Sequence, residues 1–492
     1  MPFIAVVVSG LSGRMHSGFE LISRLEGEGH RVICLCQPYT TEVVARQGFE
    51  YLEIPEINFN YSDSEKEYWN DNRPESDIPS EHKAKTETQA ENNPNATEAS
   101  DLTTEPRDGN VRSSWFQKWA AHLQNRHTRY EQGKKRLQLE IYGNIWSELR
   151  PDYALIDVEL HDLIFTAYAA EISITLFHTW FSDTPSAGLP PVRTTITPGK
   201  GFSGSSPGIA FARFVDWAKI RARWLINQIK FQEYRRSTLK KYAREVGFPV
   251  QDLALSTLPP LYRFKKLPIL LLALKELDFP HRMEQNIHYV GPMVYEKRQD
   301  LDPNSPDSQR LDTLFESKKA TGKKLIYCAV GSLAKGDVSF LKKVIQIAGE
   351  EKDWSLILSL GRNLSQDIFS DVPKNVYLFA WVPQLKVLSH ADACINHAGI
   401  NSINECLHYA VPMVIYSLKY TDENGNAARM AYHGLAISGD KDEDDAETIR
   451  SNIKAVLNEP KYRKTVSKFN GMYQEYRQRK LTPLLFRGNE SR

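Results

Sequence analysis

Residues 3–9 form one continuous apolar run, the pattern of a strand buried on both faces of a parallel sheet. Residues 19–25 carry apolar positions at helical spacing, and 29–34 return as a second apolar strand. Residues 41–47 read as a second helix, which Gly48 is placed to end. Phe49-Glu50-Tyr51-Leu52-Glu53-Ile54 then alternates apolar and acidic side chains, a third short strand. Strand and helix in turn predict an α/β fold with a parallel, doubly wound sheet.

The pattern breaks at about residue 62. From there to 114 the chain is Glu, Asp, Ser, Thr, Asn and Pro, with Tyr68, Trp69, Ile78 and Leu102 the only large apolar residues before Val111. Such a stretch buries too little surface to offset its ordering entropy, so it reads as a disordered insertion. Order is expected again as a long helix over 115–149, a strand over 151–157, a helix over 163–170 and a strand over 173–178. A Gly/Ser/Pro loop over 199–208 leads to a segment, 213–245, with ten basic and three acidic residues. Its apolar positions recur at helical spacing. That suits a packed helix with a solvated basic face, or an acceptor lid or membrane-surface contact.

Residues 381–427 concentrate the chemistry. Trp381-Val382-Pro383-Gln384 reads as a strand end turning into a loop, because Pro383 has no amide donor. A helical turn over 385–390 and a buried strand over 393–396 follow. His397-Ala398-Gly399 then turns into a helix that starts with Ile400-Asn401-Ser402-Ile403-Asn404-Glu405. A tight turn at a helix N-terminus presents unpaired N–H groups and partial positive charge, a cradle for phosphate oxygens. The next buried strand, 411–416, precedes a loop with Asp422 and Glu423. A phosphate cradle beside an aromatic face and two carboxylates, at the strand-end edge of a parallel sheet, suits a nucleotide-sugar.

These residues resemble the signature of the UDP-dependent glycosyltransferase superfamily, in a form similar to bacterial macrolide- and carotenoid-type members. The matching positions are Trp381, Pro383, Gln384, His397, Gly399, Asn401, Ser402, Glu405, Asp422, Glu423, Asn426 and Ala427, with Val382 inside the motif. The resemblance implies a GT-B fold, two facing Rossmann-like doubly wound domains with a cleft between them. It implies that Trp381 stacks on uracil, Gln384 helps hold the nucleoside and Glu405 binds the ribose hydroxyls. His397, Asn401 and Ser402 would contact the diphosphate, and Asp422 and Glu423 would read the sugar. Two departures bear on the sugar: Glu423 stands where the family has Gln, and Ser417-Leu418-Lys419 replaces the usual preceding Pro.

By the same resemblance, residues 1–294 would form an acceptor-binding domain, 295–322 a linker and 323–492 the donor-binding domain with closing helices. Residues 287–292 would be the last strand of the first domain, 325–330 the first of the second, and Gly331 and Ser332 would lie against the donor phosphates. Inverting members use a His from the first loop and an Asp from a later one, with no metal and no cofactor beyond the UDP-sugar. Asp157 stands at the Asp position. At the other, a gapless alignment puts Arg14 on the His, and a two-residue slip puts His16 there. His16 is the expected base, since a guanidinium stays protonated. Arg14 would instead bind an acidic acceptor or the diphosphate. His161 and Asp162 are secondary candidates, read as surface residues.

Composition narrows the classes. With Lys+Arg 62 against Asp+Glu 61, a formal charge of +1 gives no footprint for nucleic acid. Cys34, Cys36, Cys328, Cys394 and Cys406 are scattered and read as reduced buried thiols. The first strand lacks the basic flank of a signal peptide, and the apolar tract 163–181 is interrupted by Glu171 and His178. A cytoplasmic protein is expected, with 213–245 the segment suited to peripheral contact at the inner membrane face. The function expected is inverting transfer from a UDP-sugar to a hydroxyl of a hydrophobic small molecule of carotenoid, polyketide or lipid type. The alternatives are a nucleotide-sugar-binding auxiliary protein with little turnover, and a lipid-linked sugar transferase of the cell-wall type.

Overall fold

The computed structural model describes residues 2–10, 12–57, 126–182, 184–229, 234–256, 262–298, 304–329, 338–361, 364–419 and 422–485. The proposed insertion, Gly331 and Ser332 lie outside these.

In the first half the chain runs β1 (Phe3–Val7), α1 (Ser12–Gly27), β2 (Arg31–Cys36), α2 (Thr41–Arg46) and β3 (Tyr51–Glu53). It continues through α3 (Arg126–Arg136), α4 (Leu139–Leu149), β4 (Tyr153–Asp157), α5 (His161–Ala169) and β5 (Ser173–His178). Then come α6 (Ser206–Ile229), α7 (Tyr234–Glu245), β6 (Leu253–Leu255), β7 (Tyr262–Phe264), β8 (Ile269–Leu271) and β9 (Ile287–Tyr289). Seven of these strands form one parallel sheet in the order β3-β2-β1-β4-β5-β8-β9, and β6 and β7 make a separate antiparallel pair. Ile4, Ala5, Val6 and Val7 are all fully buried, as a central strand covered on both faces requires.

The second half begins with α8 (Pro306–Thr321) and β10 (Lys324–Ala329), then α9 (Val338–Glu350), β11 (Trp354–Ser359) and β12 (Val376–Phe379). It continues with α10 (Gln384–Leu388), β13 (Ala393–Asn396), α11 (Ile400–His408), β14 (Met413–Tyr416), α12 (Glu423–Tyr432) and β15 (Ala436–Gly439), and closes with α13 (Ala446–Asn458) and α14 (Pro460–Arg477). Its sheet is parallel, ordered β12-β11-β10-β13-β14-β15. Both sheets reverse their winding once, between β1 and β4 and between β10 and β13. Ligands of open α/β sheets sit outside the strand ends at such a point.

The two bodies meet closely. Arg429 of α12 donates to Asp278 of the first half at 2.7 Å, and Asn404 of α11 donates to the Leu272 carbonyl at 3.2 Å. The chain then crosses back beyond α14, where Glu28, just past α1, accepts from the amide of Leu481 at 2.7 Å.

Several expectations change. The first helix begins at Ser12, so residues 14 and 16, which the resemblance put in a first loop, lie on α1. The expected helix over 115–149 is two helices, broken where Gln138 adopts a left-handed φ of 53° between the buried Leu137 and Leu139; residues 115–125 lie outside the described set. The stretch read as linker holds α8, capped by Ser305 and packed on the second sheet, where Phe315 stacks on His390 at 3.9 Å. The basic segment 213–245 falls on α6 and α7, with α6 starting inside the expected loop. Along the described part of α6 nothing beyond Ile209 is buried, and Phe211, Phe214 and Trp217 stand exposed. No described helix is long and apolar enough to cross a membrane.

Candidate active site

At the second switch point β13 ends in the turn His397-Ala398-Gly399, and α11 starts directly after it. The left-handed residue is Ala398, with φ 69°, its amide donating to Asn396 Oδ1 at 2.9 Å. Gly399 has an ordinary φ of −62°. It is needed for space, since a Cβ there would lie 2.7 Å from His397 Nε2. Burial pulls the His397 pKa below its usual value, so the ring is neutral at pH 7.

The N-terminus of α11 faces that of α1. Ser17 Oγ donates to Asn401 Oδ1 at 2.9 Å, and a Cβ on Gly13 would come 2.7 Å from Asn401 Nδ2. Two helix N-termini, one from each half, thus converge beside Asn401, an electropositive setting for a diphosphate.

One turn further along α11 a polar row forms. Tyr327 donates to Gln384 Oε1 at 3.0 Å, and Gln384 Nε2 donates to Ser402 Oγ at 3.3 Å and Glu405 Oε2 at 2.5 Å. Trp381, three residues before Gln384 in the chain, is half-buried, and Val382 is buried. Asp422 caps α12. Asn426 Nδ2 donates to Asp422 Oδ2 at 2.6 Å and to the Ala398 carbonyl at 3.0 Å, tying the acidic loop to the turn. Glu423 is half-buried in the first turn of α12. Lys419, in the stretch that departs from the family, turns outward to Asp440 and Asp442, each at 2.9 Å.

The first switch point holds a different cluster. Arg14 on α1 reaches Asp157 Oδ2 at 3.5 Å, Glu159 Oε1 at 2.6 Å, and lies 5.3 Å from the ring of Trp180. All three charged groups are buried. Burial raises the Asp157 pKa, with Arg14 pulling against it. His178, at the end of the neighbouring strand β5, accepts the Trp180 amide on Nδ1 at 2.9 Å. Burial and Arg14 press its pKa down to about 3, so the neutral ring carries its proton on Nε2 and is a donor there.

His16 is elsewhere. Its Nδ1 accepts from Arg298 Nη1 at 3.2 Å, and Arg298 donates to Glu405 at 2.7 Å. Residues 14 and 16 lie on one helix and point about 200° apart, so a single face of α1 cannot present both. Arg14 takes the place facing Asp157, and the expected His16–Asp157 pair does not form. His161 and Asp162 are also not surface residues: both are buried. His161 bonds the Tyr262 amide at 3.1 Å, and Asp162 pairs with Arg235 at 3.1 Å. Among the described residues no group of three or more His, Cys, Asp and Glu side chains could hold a metal ion.

Sequence reasoning passed over Glu159, His178 and Arg298. Register could have found His178, since Asp157 pairs with Phe177, which puts His178 one step beyond the carboxylate. Arg298 had no local signal; its partners lie 282 and 107 residues away.

Comparison with known proteins bears on this geometry. Residues 257–484 match the model of the family described as UDP-glucoronosyl and UDP-glucosyl transferase. The oleandomycin glycosyltransferase of Streptomyces antibioticus is 29% identical over 143 residues, covering 29% of this chain and 33% of that protein. The NDP-glycosyltransferase YjiC of Bacillus subtilis is 30% identical over 132 residues, covering 27% and 33%. The chain thus spans about a third of the length of these curated relatives. Over whole chains, the glycotransferase of kitacinnamycin superposes with a TM-score of 0.63 at 19% identity, covering 97% of this chain and 96% of that one. The spinosyn forosaminyltransferase SpnP gives 0.58 at 11%, covering 96% and 95%. At such identities the likeness speaks for the fold, and the fold is GT-B.

Proposed function

We propose that this chain, whose residues 257–484 match the family described as UDP-glucoronosyl and UDP-glucosyl transferase, transfers a sugar from a UDP-sugar to a hydroxyl of a hydrophobic small molecule, with inversion. The observation that carries the reading is the row Tyr327–Gln384–Ser402–Glu405 beside Trp381, with the start of α11 facing that of α1. Uracil would stack on Trp381, the ribose would meet Glu405, and the diphosphate would lie between the two helix N-termini. The acceptor oxygen attacks the anomeric carbon, the bond from that carbon to the phosphate oxygen breaks, and UDP leaves with the electron pair. The helix N-termini stabilise that charge. The acceptor proton goes to the Asp157–Glu159 carboxylate pair, because a guanidinium occupies the position expected of an imidazole and His178 offers a donor. A burial-raised pKa makes Asp157 a stronger base than an ordinary carboxylate.

Names among the relatives, such as the oleandomycin glycosyltransferase, support a natural-product acceptor. Exposed Phe211, Phe214 and Trp217 on α6, with exposed Lys219 and Arg221, support delivery of that acceptor at an anionic membrane surface. Flotation with phosphatidylglycerol vesicles tests this, and equal flotation after replacing the three aromatics by Ser removes it.

The catalytic reading is tested with Asp157→Asn, assayed for UDP release with an acceptor panel. Transfer should fall by about 10²–10⁴, the usual worth of a general base, while UDP affinity holds. Undiminished transfer would remove Asp157 from its role. UDP binding without turnover on any acceptor would make the chain a nucleotide-sugar-binding protein instead.

A further inference from the structure

Glu405 is engaged from two sides. Oε1 accepts from Arg298 Nη1 at 2.7 Å, and Oε2 accepts from Gln384 Nε2 at 2.5 Å. Arg298 belongs to the segment between the two sheets, and the same Nη1 bonds His16 Nδ1 on α1 at 3.2 Å. The ion pair is nearly dry, with side-chain exposures of 6% for Arg298 and 7% for Glu405. A carboxylate has about four lone-pair positions, so two are filled and about two remain, the number that a vicinal diol needs. Without the guanidinium the carboxylate would lose the charge-assisted hydrogen bond that fixes its plane, and its free lone pairs would no longer be aimed. His16 is neutral here and can act toward the guanidinium only as an acceptor.

We propose that Arg298 is a positioning residue for the donor: braced by His16, it holds the Glu405 carboxylate aligned so that its remaining lone pairs accept both ribose hydroxyls. The linker arginine thereby sets the preference for ribonucleotide over deoxyribonucleotide donors. It also joins three parts of the chain, α1, the linker and α11, at one subsite. This inference rests on the donor-site reading above.

The test is titration calorimetry of the full chain with UDP and with 2′,3′-dideoxy-UDP. The wild type should prefer UDP by about tenfold or more, the worth of a hydrogen bond to a charged group. Arg298→Met should bring the two affinities together, as should Glu405→Gln, because the arginine acts through the carboxylate. Arg298→Lys keeps the cation and should retain part of the preference, which guards against a variant that fails to fold. His16→Ala should narrow the ratio and His16→Gln, which restores an acceptor, should widen it again. A merely structural role would change stability and leave the ratio alone. Arg298→Met with the wild-type ratio overturns this inference while the donor site stands. A wild type that binds neither nucleotide overturns the donor site and this inference with it.

Discussion

Arg429 offers the sharpest energetic prediction. It stands on α12, the helix whose first turn carries Asp422 and Glu423, and reaches across to Asp278 in the first half at 2.7 Å. Both side chains are 1% exposed. The guanidinium lies 4.8 Å from the ring of Phe181 and 4.7 Å from that of Phe279, and Nη1 donates to the Gly425 carbonyl at 3.1 Å. Asp278 also accepts from Tyr289 at 2.5 Å and from the Phe279 amide at 2.8 Å. Arg429→Met fills much of the same volume and leaves Asp278 buried without its cation. Breaking such a pair from one side costs about 3–5 kcal/mol, whereas replacing both partners is close to neutral. Urea unfolding of Arg429→Met, Asp278→Asn and the double variant should therefore give large losses for the singles and a much smaller one for the double. The same variant should weaken transfer more than UDP binding, because it frees from the first half the loop carrying Asp422 and Glu423, proposed to read the sugar. A loss under about 1 kcal/mol for Arg429→Met would refute the argument, since a buried unpaired carboxylate cannot be that cheap.

At the His397-Ala398-Gly399 turn, Ala398→Gly should stabilise by about 1 kcal/mol, seen as a higher unfolding midpoint, because Ala398 holds a left-handed φ of 69°; an unchanged midpoint would deny the strain. Gly399→Ala should weaken UDP binding and leave uridine binding alone, since its Cβ displaces the His397 ring from a position 2.7 Å away. The buried His161 has its pKa pressed down to about 4, chiefly by burial. Its contribution to stability is therefore complete above about pH 6.5. It falls away below that, by up to about 1.4 kcal/mol per pH unit. Ring NMR should show His161 neutral at pH 5.5, and titration near pH 6.5 would contradict its burial.

Much of this was written locally in the chain. The continuous apolar run over 3–9 became β1, and the strands expected over 173–178 and 393–396 fell on β5 and β13 without adjustment. Gly48 stands just past α2 with φ 79°, the stop its position implied. What escaped was whatever depends on direction or distance. The resemblance put residues 14 and 16 in a first loop, and a loop would have let His16 slip into the place of Arg14. A helix fixes the angle between them and forbids it. Gln138 interrupts a helical pattern for a tertiary reason, the packing of Leu137 and Leu139, which periodicity does not register. His161 and Asp162 read as exposed because their partners, Tyr262 and Arg235, come from much later in the chain.

The central claim is that the row beside Trp381 is a uridine diphosphate site. Calorimetric binding of UDP, TDP, GDP and ADP, repeated with Trp381→Ala, tests it most directly. Selective UDP binding should weaken in the variant by about 1–3 kcal/mol, the worth of one base stacked on an aromatic ring. Binding of none of the four, or UDP binding untouched by the loss of Trp381, would contradict the account.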